Sequence, residues 1–178
     1  FRSEILRVEP ATTPMHVAVL VDTSATARDD IAHIRAALPP FVAAVTGEAG
    51  TRNQIALVGL GERPTILTDY TSDAGLLQKG IDRIWSSPDS GAYFLDALLE
   101  TSQGLKKRNP ARPVVVAIVA EGHESSFRFH DQVLEPLRAA GAPLHVLMLG
   151  SPVTPTTEED RSRSLVVETG SRSEEHTS

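Results

Sequence analysis

The sequence predicts an α/β domain of three layers, with a mainly parallel central sheet and one antiparallel edge strand between two sets of helices. Three observations lead there. The runs HVAVLV (16–21), RPVVVAIVA (112–120) and APLHVLMLG (142–150) are short and nearly all apolar, as strands covered on both faces must be. Between them apolar residues recur at helical spacing, so strands alternate with helices, the pattern of a parallel sheet. The stretch QIALVGLGERPTILTDY (54–70) holds two strand-like runs around a Gly-Glu-Arg-Pro turn, a hairpin that supplies the antiparallel strand.

The bulk properties bound the function. A chain of 178 residues fits one domain with a single core. Its 40% hydrophobic and 22% charged content are those of a globular protein, and 4% aromatic content leaves a core of Val, Leu, Ile and Ala. The net charge of -6 argues against nucleic acid, which calls for a basic face. With no cysteine there is no disulfide framework and no thiolate chemistry. Apolar runs of about eight residues are too short to span a bilayer. Arg far outnumbers Lys and Ala is abundant, a composition that fits a GC-rich bacterial genome.

The elements follow in order. Residues 1–13 read as a polar lead-in with a short edge strand around Ile5–Val8. HVAVLV is a central strand. The next helix, within 25–46, turns Ile31, Ile34 and Leu38 inward, and Pro39-Pro40 should break or kink it. Residues 73–85 form a helix capped by Asp73, with Leu76, Leu77, Ile81 and Ile84 inward. After the loop SSPDSGA, residues 93–108 make a helix ended by basic residues and Asn109-Pro110. RPVVVAIVA is the most buried-looking strand, 127–141 a helix stopped by Gly141, and APLHVLMLG another buried strand. Residues 156–170 form a polar-faced helix.

The domain is read as residues 14–171. The chain opens on Phe1, so a native start and any export signal are expected upstream. Its last seven residues, RSEEHTS (172–178), match the translation of a common short-read sequencing adapter and are set apart from the functional reading. The expectation is a domain truncated before its last strand, which leaves the strand Pro143–Leu149 with an open edge.

Three loops at the carboxyl ends of strands carry oxygen ligands. The first holds Asp22, Ser24 and Thr26, spaced D-x-S-x-T; alternate residues of an extended turn point the same way, so their oxygens converge. The second, SSPDSGAY, holds Ser87, Asp89 and Ser90; the third, AEGHE, holds Glu121. Carboxylates and hydroxyls around one point suit Mg²⁺, a hard cation with octahedral oxygen coordination. In such folds ligands sit at strand ends where the sheet order switches.

With the element order and D-x-S-x-T together, the chain resembles a von Willebrand factor type A domain over roughly Pro14–Gly170, including the hairpin after the first helix and the DALL helix at Asp96–Leu99. The resemblance implies a Rossmann-like three-layer sandwich with a metal-ion-dependent adhesion site. Asp22 and Ser24 match its first motif directly, and Thr26 replaces a serine while keeping the hydroxyl. The family's threonine falls on Ala92, which has no ligand atom. Its final aspartate falls on Glu121, one methylene longer, and the threonine before that aspartate on Ala120. Asp89 or Ser90 is the substitute from the same loop as Ala92. The implied cofactor is therefore Mg²⁺ or Mn²⁺ at a weakened site of Asp22, Ser24, Thr26 and Glu121.

Blander readings stand beside this. Ser24 or Thr26 caps the first helix, and Asp22 accepts from loop N–H groups. The cluster EGHESSFRFHD, with His123, Glu124, His130 and Asp131, lacks a recognised zinc spacing and reads as surface loop and cap. His16 and His145 read as half-buried packing residues, and Lys106–Arg108 as a complement to a helix dipole. No G-x-S-x-G elbow, P-loop or G-x-G-x-x-G is present, and the second aspartate of haloacid-dehalogenase-type enzymes is replaced by Ser24. The expected function is non-enzymatic protein recognition at the strand-end face, with an acidic side chain of the partner completing the metal's coordination as the family implies. The alternatives are a metal-free module of a larger envelope or secreted protein and, more remotely, a metal-dependent phosphate-ester hydrolase. An extracytoplasmic bacterial location goes with the preferred reading.

Overall fold

The computed structural model describes residues 12–47, 52–150 and 155–172. The expected strand at Ile5–Val8 lies outside the described residues, as does all of the terminal heptapeptide except Arg172. The strands are β1 (Met15–Val21), β2 (Gln54–Gly59), β3 (Thr65–Thr71), β4 (Arg112–Ala120) and β5 (Leu144–Leu149). The helices are α1 (Ile31–Thr46), α2 (Ala74–Ile81), α3 (Phe94–Arg108), α4 (His130–Ala140) and α5 (Glu158–Arg172). A short 3-10 turn at Thr26–Asp29 precedes α1.

The sheet runs β3-β2-β1-β4-β5, parallel except where the hairpin strand β3 meets β2. β1 is central, and every residue from Val17 to Val21 is buried. Because a strand turns alternate side chains to opposite faces, Val17, Val19 and Val21 pack with α1 and α2. Ala18 and Leu20 pack with α3, α4 and α5. These are the three layers the sequence predicts.

β1, and not β4, is the most buried strand. Val114, Val116 and Ile118 of β4 are only half-buried, and β5 is an edge strand with Leu147 52% exposed and His145 exposed rather than half-buried. The reason is placement: α1 and α2 lie toward β2 and β3, which leaves that face of β4 and β5 thinly covered by the described residues.

α1 also differs from expectation, running unbroken through Pro39 and Pro40. Each proline removes one backbone donor at a cost of roughly 3 kcal/mol. The buried stripe Ile31, Ile34, Leu38 and Val42 continues on both sides of the pair, and its packing offsets that cost. α2 is capped as predicted, the Asp73 carboxylate accepting from Leu76 N at 2.9 Å. Leu77, Ile81 and Ile84 are buried, but Leu76 is 48% exposed. It sits one position off the i, i+4 stripe, so it points away from the sheet. α2 packs close on β3 at Gly80, where a Cβ would collide with the Thr68 hydroxyl. α3 and α4 end in left-handed residues, Asn109 at φ 48° and Gly141 at φ 63°.

The chain leaves β1 toward α1 on one face and leaves β4 toward α4 on the other. The carboxyl ends of these neighbours form the switch point of the sheet, where such folds place ligands. Among the described residues no helix is long and apolar enough to cross a membrane.

Leu20, fully buried on β1, tests the centre of this packing. Leu20→Ala should cost about 2–5 kcal/mol in chemical denaturation; a loss below about 1 kcal/mol would mean β1 is not the middle of the core.

Candidate functional site

Asp22 follows β1 directly and is fully buried. Its own N–H donates to the carbonyl of Ile118 at 2.8 Å. Its carboxylate oxygens divide the work of joining two strand ends. Oδ1 accepts from Ser24 N at 2.8 Å and Oδ2 from Ala120 N at 3.0 Å. Asp22 is therefore the acceptor for loop N–H groups that the blander reading names, within its own loop and across to β4.

Neither hydroxyl of D-x-S-x-T caps a helix. Ala25 and Asp30 hold the cap positions of the 3-10 segment and of α1, and neither makes a side-chain cap bond. Ser24 is fully buried, and its Oγ has no hydrogen-bond partner among the described residues. Thr26 is exposed and lies against Gly122, where a Cβ would come within 3.0 Å of the threonine side chain. Thr23, between Asp22 and Ser24, accepts from Gly61 N at 2.8 Å and so ties the loop to the end of β2.

The 86–92 loop folds over this turn. Ser86 Oγ donates to the carbonyl of Ser24 at 2.8 Å, Ser87 N to that of Thr23 at 2.9 Å, and Ala25 N to that of Ser90 at 3.1 Å. The Ser90 hydroxyl is used locally, donating to the carbonyl of Ser87 at 2.9 Å. Asp89 is exposed in the left-handed region at φ 63°. Ala92 is buried and forms a parallel bridge with Glu124.

Glu121 is turned toward α5. Its Oε2 lies 3.7 Å from Arg163 Nη2, with both side chains largely buried. Sequence reasoning missed Arg163, because nothing local marks one arginine of a polar helix as buried. It also missed the part played by the 121–129 loop. Tyr93 offers α3 no side-chain cap. The loop supplies one instead: Ser126 Oγ accepts from Asp96 N at 3.0 Å, and Glu124 Oε1 accepts from Ser126 N at 3.1 Å, while its Oε2 has no hydrogen-bond partner among the described residues. Burial, only partly countered by these hydrogen bonds and by Arg163, pushes the Glu124 carboxyl above its usual range.

Asp160 ties the same loop to α5. Thr157 Oγ1 accepts from Asp160 N at 3.1 Å, and Asp160 Oδ2 accepts from Thr157 N at 3.2 Å, a reciprocal cap. The same carboxylate accepts from Glu124 N at 2.8 Å and meets His123 Nδ1 at 2.9 Å. Burial would raise its pKa, but the bonds accepted from Glu124, His123, Thr157 and Thr156 outweigh it and hold the carboxyl well below the carboxylate range. His123 and Glu124 are thus used in separate contacts. Among the described residues no three His, Cys, Asp or Glu side chains gather as metal ligands. In EGHESSFRFHD, read from the sequence as surface loop and cap, Glu124 and Ser126 are buried.

These residues fit a tightly held Mg²⁺ poorly. Ser24 Oγ has no partner among the described residues and Asp22 keeps spare lone pairs, but Ala92 brings no ligand atom. The Ser90 hydroxyl donates its proton to the Ser87 carbonyl, which leaves its own lone pairs available. Glu121 already has a cationic partner in Arg163. That leaves one buried carboxylate to balance the ion's charge, with waters completing the octahedral oxygen shell.

No family model matches the chain, and no curated protein matches it by sequence. Solved structures do resemble it. The vWF domain of the type V pili tip protein Mfa5 from Porphyromonas gingivalis is 20% identical, with a TM-score of 0.56 over 65% of this chain. Proximal thread matrix protein 1 from the mussel byssus, with a zinc-occupied MIDAS motif, is 16% identical, with a TM-score of 0.64 over 92%. A von Willebrand factor type A structure from Catenulispora acidiphila is 11% identical, with a TM-score of 0.62 over 90%. The chain spans 40%, 46% and 42% of those three chains, less than half of each.

The Asp160 network has a definite pH dependence. A carboxyl held below its usual range binds its proton more weakly folded than unfolded. Its stabilising contribution is therefore complete above the ordinary value of 3.8 and is withdrawn as pH falls through the lower, folded value. Asp160→Asn should cost about 2–3 kcal/mol at neutral pH. In urea denaturation across pH the gap to wild type should narrow on acidification below about pH 4; a gap that widens there would contradict the network.

Proposed function

The chain has the von Willebrand factor type A fold, and on that premise we propose that it is a non-catalytic protein-recognition module. It works through the face at the carboxyl ends of its strands, without a tightly held divalent cation. The observation that carries this reading is the ion pair of Glu121 with Arg163, which commits to an internal partner the carboxylate a metal site would need. Recognition as the task is supported by where the fold is found: similar domains sit in a pilus-tip protein and in a byssal matrix protein. An extracytoplasmic location goes with the same neighbours. A non-catalytic role is supported by the site's chemistry. His123 and Asp160 are the nearest thing to an oriented base, and no serine hydroxyl is hydrogen-bonded to that histidine among the described residues.

A second reading, a weak Mg²⁺ or Mn²⁺ site of Asp22, Ser24 and Thr26, is favoured by the buried and unpartnered hydroxyl of Ser24. There Asp22 and Ser24 would hold the ion, and the ion would supply a Lewis-acidic point for a partner's carboxylate. Calorimetric titration with Mg²⁺ and Mn²⁺ separates the two. Wild type and Asp22→Ala should give the same null heats, whereas submillimolar binding that vanishes in Asp22→Ala would establish the second reading. The recognition face is tested separately, with a photo-crosslinking side chain placed at Thr26, at Asp89, or at Lys107 on the far end of α3. In the native host, protein adducts should form from the first two positions; adducts from Lys107 alone would overturn the assignment of the face.

A further inference from the structure

Trp85, the only tryptophan of the chain, is 64% exposed, yet it is held in place. Its Nε1–H donates to the carbonyl of Asp82 at 2.9 Å, and the Arg35 guanidinium lies 4.4 Å from the ring centroid. Leaving a fixed indole in water forgoes the burial of a large apolar surface. Tryptophan and arginine are also among the residue types enriched at the hot spots of protein interfaces.

A groove opens on each side of the indole. One, of about 340 Å³, is lined by Arg28, Ile31, Arg35 and Ser86. The other, of about 310 Å³, is lined by Glu62, Arg63, Arg83 and Ser87, among others. Four arginines and one glutamate therefore face the grooves, in a chain whose net charge is -6. Arg35 lies 3.7 Å from Asp82, and Arg83 donates to the carbonyl of Leu67 at 2.8 Å. The exposed guanidinium groups of Arg28 and Arg63 make no hydrogen bond or ion pair among the described residues. One uncommitted positive charge thus stands on each side of a fixed aromatic plate.

We propose that Trp85 and its two grooves are a docking site for an acidic peptide segment of a partner protein. Carboxylates pair with Arg28 and Arg63, and an apolar residue between them covers the indole. The site adjoins the strand-end loop, since Ser86 donates to the carbonyl of Ser24 and Ser87 to that of Thr23. It gives the recognition face a partner chemistry, and it rests on that reading only in taking the partner to be a protein.

The lone tryptophan is its own reporter. A synthetic peptide of alternating aspartate and proline should change Trp85 emission saturably, and a lysine–proline peptide of equal length should not. The double variant Arg28→Ala, Arg63→Ala should bind the acidic peptide roughly tenfold more weakly, as expected for two exposed ion pairs. Raising salt from about 0.1 M to about 1 M should weaken wild-type binding as well. Both side chains are exposed, so the double variant should keep the wild-type thermal midpoint. Arg63→Glu, on the hairpin turn, is the independent variant and should abolish the acidic peptide's effect. No saturable change in wild type, or equal affinity in the variants, overturns the proposal. That result alongside adducts from Thr26 would remove the acidic site and leave the recognition face standing.

Discussion

The strand-end face is organised around one buried carboxylate. A parallel pair of strands ends with backbone N–H groups aimed past the last ladder bond, and inside a protein an unmatched donor costs as much as a lost hydrogen bond. Asp22 meets that demand at the junction of β1 and β4, taking the N–H of Ser24 with one oxygen and that of Ala120 with the other. Because the two strands send their chains to opposite faces of the sheet, this is also where the loops diverge and a cleft can open. Thr23, bonded to Gly61, extends the arrangement to β2, and Ser86 and Ser87 close over it from the loop before α3.

A second layer of polar contacts holds the 121–129 loop against two helix ends. α3 starts at a tyrosine that does not cap it, and Ser126 takes the N–H of Asp96 from the loop beside it, with Glu124 holding Ser126 in turn. α5 caps itself through Thr157 and Asp160, and Asp160 then spends its remaining acceptor capacity on His123 and Glu124. Arg163, one turn further along α5, approaches Glu121 from beneath. An arginine in that place does part of what a bound cation would do for the loop, since it neutralises a carboxylate at a strand end.

Most of the architecture was legible in the chain. Apolar runs of strand length, a two-strand stretch around Gly-Glu-Arg-Pro, and the stops at Asn109 and Gly141 placed the strands within a residue or two, although α2 ends at Ile81 and not at Trp85, and α1 begins only at Ile31. Those signals are local, because periodicity and turn chemistry act within a few residues. What was misread depended on neighbours distant in sequence. RPVVVAIVA looks more deeply buried than HVAVLV, but depth follows from which strand is central and where the helices lie. A proline pair looks like a break until the stripe of Ile34, Leu38 and Val42 packs through it.

Fold class and the D-x-S-x-T turn at the end of the first strand are written in the chain itself, as residue types at fixed spacing. What each polar group does was settled by tertiary contacts. Ser24 is a good helix cap by type, yet its hydroxyl has no partner among the described residues, and Glu121, a strand-end acid like Asp22, is paired with Arg163 more than forty residues away. The physical reason is that a hydrogen bond or ion pair is settled by which partner folding brings within about 3–4 Å, and chain separation does not encode that distance.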